Sequence, residues 1–146
     1  MRFPPPLIYL AGLLAGIGLH VLLDAGSPPV AVRIAGAVAG VAAFAYFDGR
    51  AMGAFRRTHN NPTPWTPTTM LVVDGAYRRT RNPMYVGMAF LYGGFAFALG
   101  TLVALVVLPV VLTVIDRYAI AREEHYMERR FGGEYVDYRR RVRRWV

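Results

Sequence analysis

Two polar clusters, one between long apolar stretches and one after the last of them, are the residues best suited to ligand chemistry. The first is Leu71-Val-Val-Asp-Gly-Ala-Tyr-Arg-Arg-Thr-Arg-Asn-Pro-Met-Tyr-Val-Gly87. Its Asn82-Pro83 step reads as a helix start, because asparagine caps well and proline suits the first turn. A helix N-terminus presents free backbone N–H groups and a partial positive charge, which seat a carboxylate or a phosphate. Gly75 permits a tight turn before Tyr77, and Arg78, Arg79 and Arg81 crowd the same segment. The second cluster is Arg122-Glu-Glu-His-Tyr-Met-Glu-Arg-Arg-Phe-Gly-Gly-Glu-Tyr-Val-Asp-Tyr138. Its paired acids, Glu123 and Glu124, can receive a cationic ligand or accept hydrogen bonds from ribose hydroxyls.

Each cluster also has a plain structural reading. The first can be a capped helix with arginines at a membrane surface. The second can be a solvated helix face on which Arg117, Arg122 and Arg129 pair with the acids. Asp116 and Glu123 are seven residues apart and share a helix face. Tyr126, Phe131, Tyr135 and Tyr138 suit packing against a bundle or seating at the headgroup level.

The elements that must position these clusters are apolar spans. The 146 residues are 55% hydrophobic, and the apolar residues fall in blocks, the pattern of membrane helices. The spacing predicts spans at about 7–23, 30–47, 84–99 and 102–115. Together they give an all-α polytopic membrane protein of about four transmembrane helices, with a C-terminal cytoplasmic helix and tail, in a single domain over 1–146. The N-terminal span reads as a retained signal anchor. Pro4 to Pro6 precede it, Asp24-Ala-Gly-Ser-Pro-Pro29 is a turn, and Gly100-Thr101 is a tighter one. Span two is rich in Ala, Gly and Val, a face for close helix contact or for a homodimer, and its helix extends to about Phe55. Residues 56–83 form a polar connection in which Asn60-Asn-Pro-Thr-Pro-Trp-Thr-Pro67 is too proline-broken for a helix. Spans three and four cover only ~21–24 Å each, short of a hydrocarbon core of about 30 Å. Span four is therefore expected to run on as a helix to about Arg130, with a kink at Pro109.

All 17 basic residues are arginine and the net charge is +8. They flank the apolar spans and are absent from the 24–29 and Gly100 turns, so the positive-inside rule puts both termini and the long connection in the cytoplasm. A bacterial or archaeal cytoplasmic membrane is the expected setting and the lipid bilayer the expected partner. No nucleic-acid-binding module interleaves the arginines, so nucleic acid is not expected. With no cysteine, and with His20, His59 and His125 far apart, no metal site is expected either.

Leu-Val-x-x-Gly-x-Tyr-Arg-x-x-Arg-Asn-Pro-Met-Tyr-x-Gly, followed by Arg-Glu-Glu, Phe-Gly-x-Glu-Tyr-x-x-Tyr and Arg-x-Val, resembles the isoprenylcysteine carboxyl methyltransferase and phospholipid methyltransferase group of membrane proteins. The resemblance covers roughly residues 60–146. It implies methyl transfer from S-adenosylmethionine (SAM), bound at the cytoplasmic face, to a membrane-soluble or amphipathic acceptor. By position it implies a cofactor pocket lined by Thr69, Met70, Leu71 and Val72, with Tyr77 beside them. Asn82, Pro83, Met84 and Tyr85 form another wall, and Glu123 contacts the cofactor, with Glu124 as the alternative. Many relatives have histidine where Asn82 stands. Relatives acting on prenylated cysteine carry a substrate-facing arginine where this chain has Ala119, and Arg117 or Arg122 are the local substitutes for substrate binding. Catalytic groups are not assigned, since in-line transfer to a nucleophile needs no covalent enzyme nucleophile, and a base only when the acceptor arrives protonated. The alternatives are an NADPH-dependent membrane reductase of the sterol-reductase type and a non-catalytic membrane scaffold. The Glu-Glu pair and the Asn-Pro-Met-Tyr spelling favour the methyltransferase.

Overall fold

The computed structural model describes residues 4–57 and 70–146. Thr69, His59 and the proline-broken stretch at 60–67 lie outside the described residues. The rest is helical: α1 (Pro5–Leu22), α2 (Val30–Arg57), a short 3-10 turn (Gly75–Arg78), α3 (Pro83–Leu99), α4 (Val103–Val114), a π-helical segment (Ile115–Ile120), α5 (Ala121–Phe131) and α6 (Gly133–Arg141). Among the described residues there is no β-strand; Thr80 and Arg143 form an isolated parallel bridge. Also among them, Pro5–Leu22, Val30–Arg57 and Val103–Phe131 are long and apolar enough to cross a membrane, and Pro83–Leu99 is a shorter apolar helix. The chain is an all-α polytopic integral membrane protein.

The spans match the sequence expectation to within a residue or two. The helix of span two runs on to Arg57, and that of span four continues without a break to Phe131. Pro109 sits inside α4 without ending it, and the Thr113 hydroxyl donates to the Pro109 carbonyl at 2.8 Å. The departure from α geometry comes one turn later, in the π segment, where the wider turn changes which side chains share a face.

Small residues set the packing. A side chain on Gly40 would put its Cβ 2.5 Å from the Gly94 Cα, and one on Gly16 would sit 2.5 Å from the Ala104 Cα. Backbones therefore touch at the α2–α3 and α1–α4 crossings, the close approach that small residues allow in lipid. The glycine face of α2 is thus occupied by α3. Buried tyrosines tie the two pairs together. The Tyr9 hydroxyl donates to the Tyr85 carbonyl at 2.9 Å, and that of Tyr92 to the Ala104 carbonyl at 2.8 Å. At the opposite end, Gly100 adopts φ +74° and lets the chain reverse between α3 and α4. There Arg33 Nη2 donates to the Ala98 carbonyl at 2.7 Å, supplying a cation where the last carbonyls of α3 lack partners.

Candidate functional site

At the arginine-rich end the two polar clusters meet. Gly75 takes φ +65° and turns the chain into the 3-10 segment, so that Tyr77 stacks edge-on against Phe55 of α2, with ring centroids 5.8 Å apart. From the other side, α5 and α6 break at Gly132 and fold back. The Tyr138 hydroxyl donates to the Tyr77 carbonyl at 2.7 Å, and Tyr135 and Tyr138 are both buried. Tyr138 therefore packs on the first cluster, and Tyr135 packs beside Tyr138, with ring centroids 6.2 Å apart. Burial, followed by Tyr138, Glu123 and Asp48, holds the Tyr77 phenol well above its usual pKa. Burial likewise raises that of Tyr138, with Arg81 opposing.

The C-terminal strap completes the enclosure. The Arg81 N–H donates to the Arg143 carbonyl at 2.9 Å. The Thr80 hydroxyl and the Asn82 Nδ2 both donate to the Arg144 carbonyl, at 3.1 and 3.0 Å. Asn82 occupies the cap position of α3, but its side chain makes no cap hydrogen bond to that helix. The amide thus serves through its Nδ2 as a tether for the strap, and its Oδ1 does not cap α3.

Charge pairing also differs from the expected helix face. Glu124 is bound by Arg81, at 3.0 Å from Nη2, and by Arg144, whose Nε lies 3.1 Å from Oε1 and whose Nη2 bonds Oε2. Arg144 Nη1 donates to Asp116 at 3.0 Å, and Trp145 Nε1 donates to the same carboxylate at 2.9 Å. The hydrogen bonds to Glu124 hold the Arg144 guanidinium all the more firmly protonated. The pairing of Arg117, Arg122 and Arg129 with these acids is corrected accordingly. The expectation that Asp116 and Glu123 share a face is corrected too: Asp116 and Glu124 converge on Arg144, because the π segment between them shifts the register. Glu123 instead accepts a hydrogen bond from the Tyr85 hydroxyl at 2.6 Å.

These elements surround a cavity of about 380 Å³. Met70, Leu71, Val72, Tyr77, Asn82, Met84, Tyr85, Glu123 and Glu124 all line it. Pro83 is fully buried beside it without reaching the wall, and Arg117 and Arg122 are exposed outside it. Sequence reading missed Asp48 and Phe55 of α2, Pro5 and Pro6 of α1, Met88 of α3, and the wall made by Tyr126, Met127, Tyr135 and Tyr138. Asp48 interrupting an apolar helix was the available signal; nothing in the sequence marked the prolines. Arg81 was read as a membrane-surface charge. It lines the cavity instead, and its Nε and Nη1 are buried without a hydrogen-bond partner.

The arrangement offers an apolar chamber with two distinct electrostatic features: a guanidinium with spare donors, and a carboxylate held by a tyrosine. Residues 37–134 match the phospholipid methyltransferase family. An uncharacterized protein of Haemophilus influenzae is 36% identical over 63 residues, 43% of this chain and all of that protein. The protein-S-isoprenylcysteine O-methyltransferase of Schizosaccharomyces pombe is 36% identical over 73 residues, half of this chain but only 31% of the yeast protein. No solved structure matches. The family match runs from within α2 through α3, α4 and α5, taking in the first polar cluster and the second as far as Glu134, and the chain belongs to the phospholipid methyltransferase family.

Proposed function

We propose that the protein transfers a methyl group from SAM to a lipid-like or amphipathic acceptor, in the cavity between the two clusters. The observation that carries this reading is the convergence of Arg81, Asn82, Met84, Tyr85 and Glu123 on one chamber of about 380 Å³, in a chain of this family. That volume lies in the range typical of small-molecule sites.

The lining fits the cofactor. A carboxylate would take one of the orphaned donors of Arg81, Nε or Nη1, which lie on different edges of the guanidinium, and charge-assisted contacts of this kind are among the stronger hydrogen bonds. Glu123, fixed by Tyr85, would take an ammonium or a ribose hydroxyl. Met70, Leu71, Val72, Tyr126 and Met127 would cover an apolar base. SAM supplies a methyl group made electrophilic by its sulfonium. The work of the chain is to bind, align and keep water out, which the buried tyrosines and the C-terminal strap favour.

We place the cavity at the cytoplasmic face. Arg56, Arg57, Arg78, Arg79 and the arginines of α5 and α6 surround its end of the bundle, while the 24–29 and Gly100 turns carry none. The cofactor would then enter from the cytoplasm and the acceptor from the bilayer, with the whole chain acting as one membrane-embedded unit.

Calorimetry on detergent-purified protein tests the reading. SAM and S-adenosylhomocysteine should bind and NADPH should not. NADPH binding in the absence of SAM binding would replace this proposal with the reductase.

A further inference from the structure

Among the described residues, the charges in the cavity wall are accounted for, except one. Glu123 is held by Tyr85, Glu124 by Arg81 and Arg144, and the spare donors of Arg81 suit an anion. Asp48 is left. It lies on α2, lines the same cavity, and its Oδ2 is buried without a hydrogen-bond partner. A Cβ on Gly87 of α3 would overlap that oxygen, so the glycine leaves room for a carboxylate at this point in the wall. Phe55, Met88, Pro5 and Pro6 line the cavity with it. Asp48 and Glu123 line this one chamber although they come from different helices. A carboxylate without a partner is unfavourable in such surroundings, and ionisable groups kept near membrane helices usually serve a substrate or proton path.

We propose that Asp48 is the acceptor-side group: its carboxylate accepts a hydrogen bond from the N–H or O–H to be methylated and takes that proton during transfer. The proposal rests on the methyl-transfer reading above. The new bond joins the acceptor heteroatom to the methyl carbon. The bond that breaks is methyl to sulfur, with its electron pair left on sulfur, and the displaced proton ends on Asp48. The preferred acceptor is then an amphiphile with an amine or hydroxyl head, its apolar body lying along the Pro5, Pro6 and Met88 part of the wall. A carboxylate acceptor, already ionised and carrying no proton, is repelled by Asp48, and an isoprenylcysteine carboxylate falls in that disfavoured class.

The test measures binding to full-length protein without turnover. Dodecylamine and dodecanoate serve as head-group probes, titrated separately into wild type and Asp48→Asn in the same detergent, with S-adenosylhomocysteine titrated as the cofactor probe. Asp48→Asn keeps the side-chain shape and removes the charge. It should weaken dodecylamine at least tenfold, leave dodecanoate unchanged or tighter, and leave S-adenosylhomocysteine within twofold. Parallel losses for both amphiphiles would make Asp48 a structural residue and overturn the proposal. A loss of S-adenosylhomocysteine affinity would assign Asp48 to the cofactor and overturn it as well. Should the variant fail to fold, wild type still decides: dodecanoate bound more tightly than dodecylamine refutes the assignment, and the reverse order supports it. Failure of wild type to bind S-adenosylhomocysteine would sink the methyl-transfer reading by itself, whatever the amphiphiles do.

Discussion

The Asn82 amide donates to the Arg144 carbonyl at 3.0 Å, joining the start of α3 to the C-terminal strap across most of the site. The same carbonyl accepts from the Thr80 hydroxyl, and Thr80 Oγ1 in turn accepts from the Asn82 N–H at 3.1 Å. Asn82 is 8% exposed and Thr80 is fully buried, so water cannot easily replace these partners.

Asn82 variants separate a tether from a cap. For a cap alone, Ser and Asp would be nearly equivalent to Asn. As a tether, Asp turns an acceptor toward a carbonyl and Ser falls short of it. Both should cost about 1–3 kcal/mol, the usual effect of leaving a buried polar group unpaired. Thermal unfolding of cofactor-free protein measures this, and limited proteolysis should show the tail beyond Arg141 cleaved sooner. Wild-type stability in both variants would return Asn82 to a capping role.

The Arg81–Glu124 pair predicts an asymmetry between variants. Both side chains are 10% exposed. Glu124→Ala leaves two guanidiniums without their shared anion, and breaking a buried pair by removing one partner costs about 3–5 kcal/mol. The double variant Arg81→Leu/Glu124→Leu removes both charges of that pair and should be less destabilised than Glu124→Ala. Denaturation in mild detergent gives the order. A double variant no more stable than Glu124→Ala would mean that packing rather than charge holds this corner.

Much of this architecture was legible in the sequence because membrane spans are written in composition. The apolar blocks located the helices, and the arginine-free turns separated the two ends of the bundle. Helix extension past span four followed from length alone. The resemblance also named positions that the fold brings to one cavity, nine of them in all: Met70, Leu71, Val72, Tyr77, Asn82, Met84, Tyr85, Glu123 and Glu124. The missing parts depended on tertiary geometry. The i, i+7 rule that paired Asp116 with Glu123 assumed regular α-helix, and the π segment voids that assumption. Nothing local announces that Arg144 would return to Glu124, twenty residues earlier, or that Asp48 would face the same chamber as Glu123.

Close helix contact gives a prediction with an internal control. Gly40→Leu would drive a side chain into the Gly94 backbone, whereas a Cβ on Gly18 would meet nothing within 4 Å. Gly40→Leu should abolish a monodisperse folded peak in fluorescence-detected chromatography. Gly18→Ala should fold as well as wild type or better, since alanine favours helix over glycine by about 1 kcal/mol. Equal behaviour of the two variants would contradict the α2–α3 crossing.

The contact between Tyr85 and Glu123 distinguishes what each contributes to cofactor binding. The Tyr85 hydroxyl donates to Glu123 Oε1 at 2.6 Å, so tyrosine fixes the carboxylate while the carboxylate carries the charge. Glu123→Ala should remove a charge-assisted contact worth roughly 1.5–3 kcal/mol, weakening S-adenosylhomocysteine about tenfold to over a hundredfold. Tyr85→Phe keeps the charge and loses only its orientation, so its effect should be smaller, and the double variant should be no worse than Glu123→Ala. That non-additivity is the signature of one residue acting through another. Calorimetry on the four proteins closes the cycle. Strictly additive losses would mean that Tyr85 touches the cofactor independently. Wild-type affinity in Glu123→Ala would remove Glu123 from the binding site.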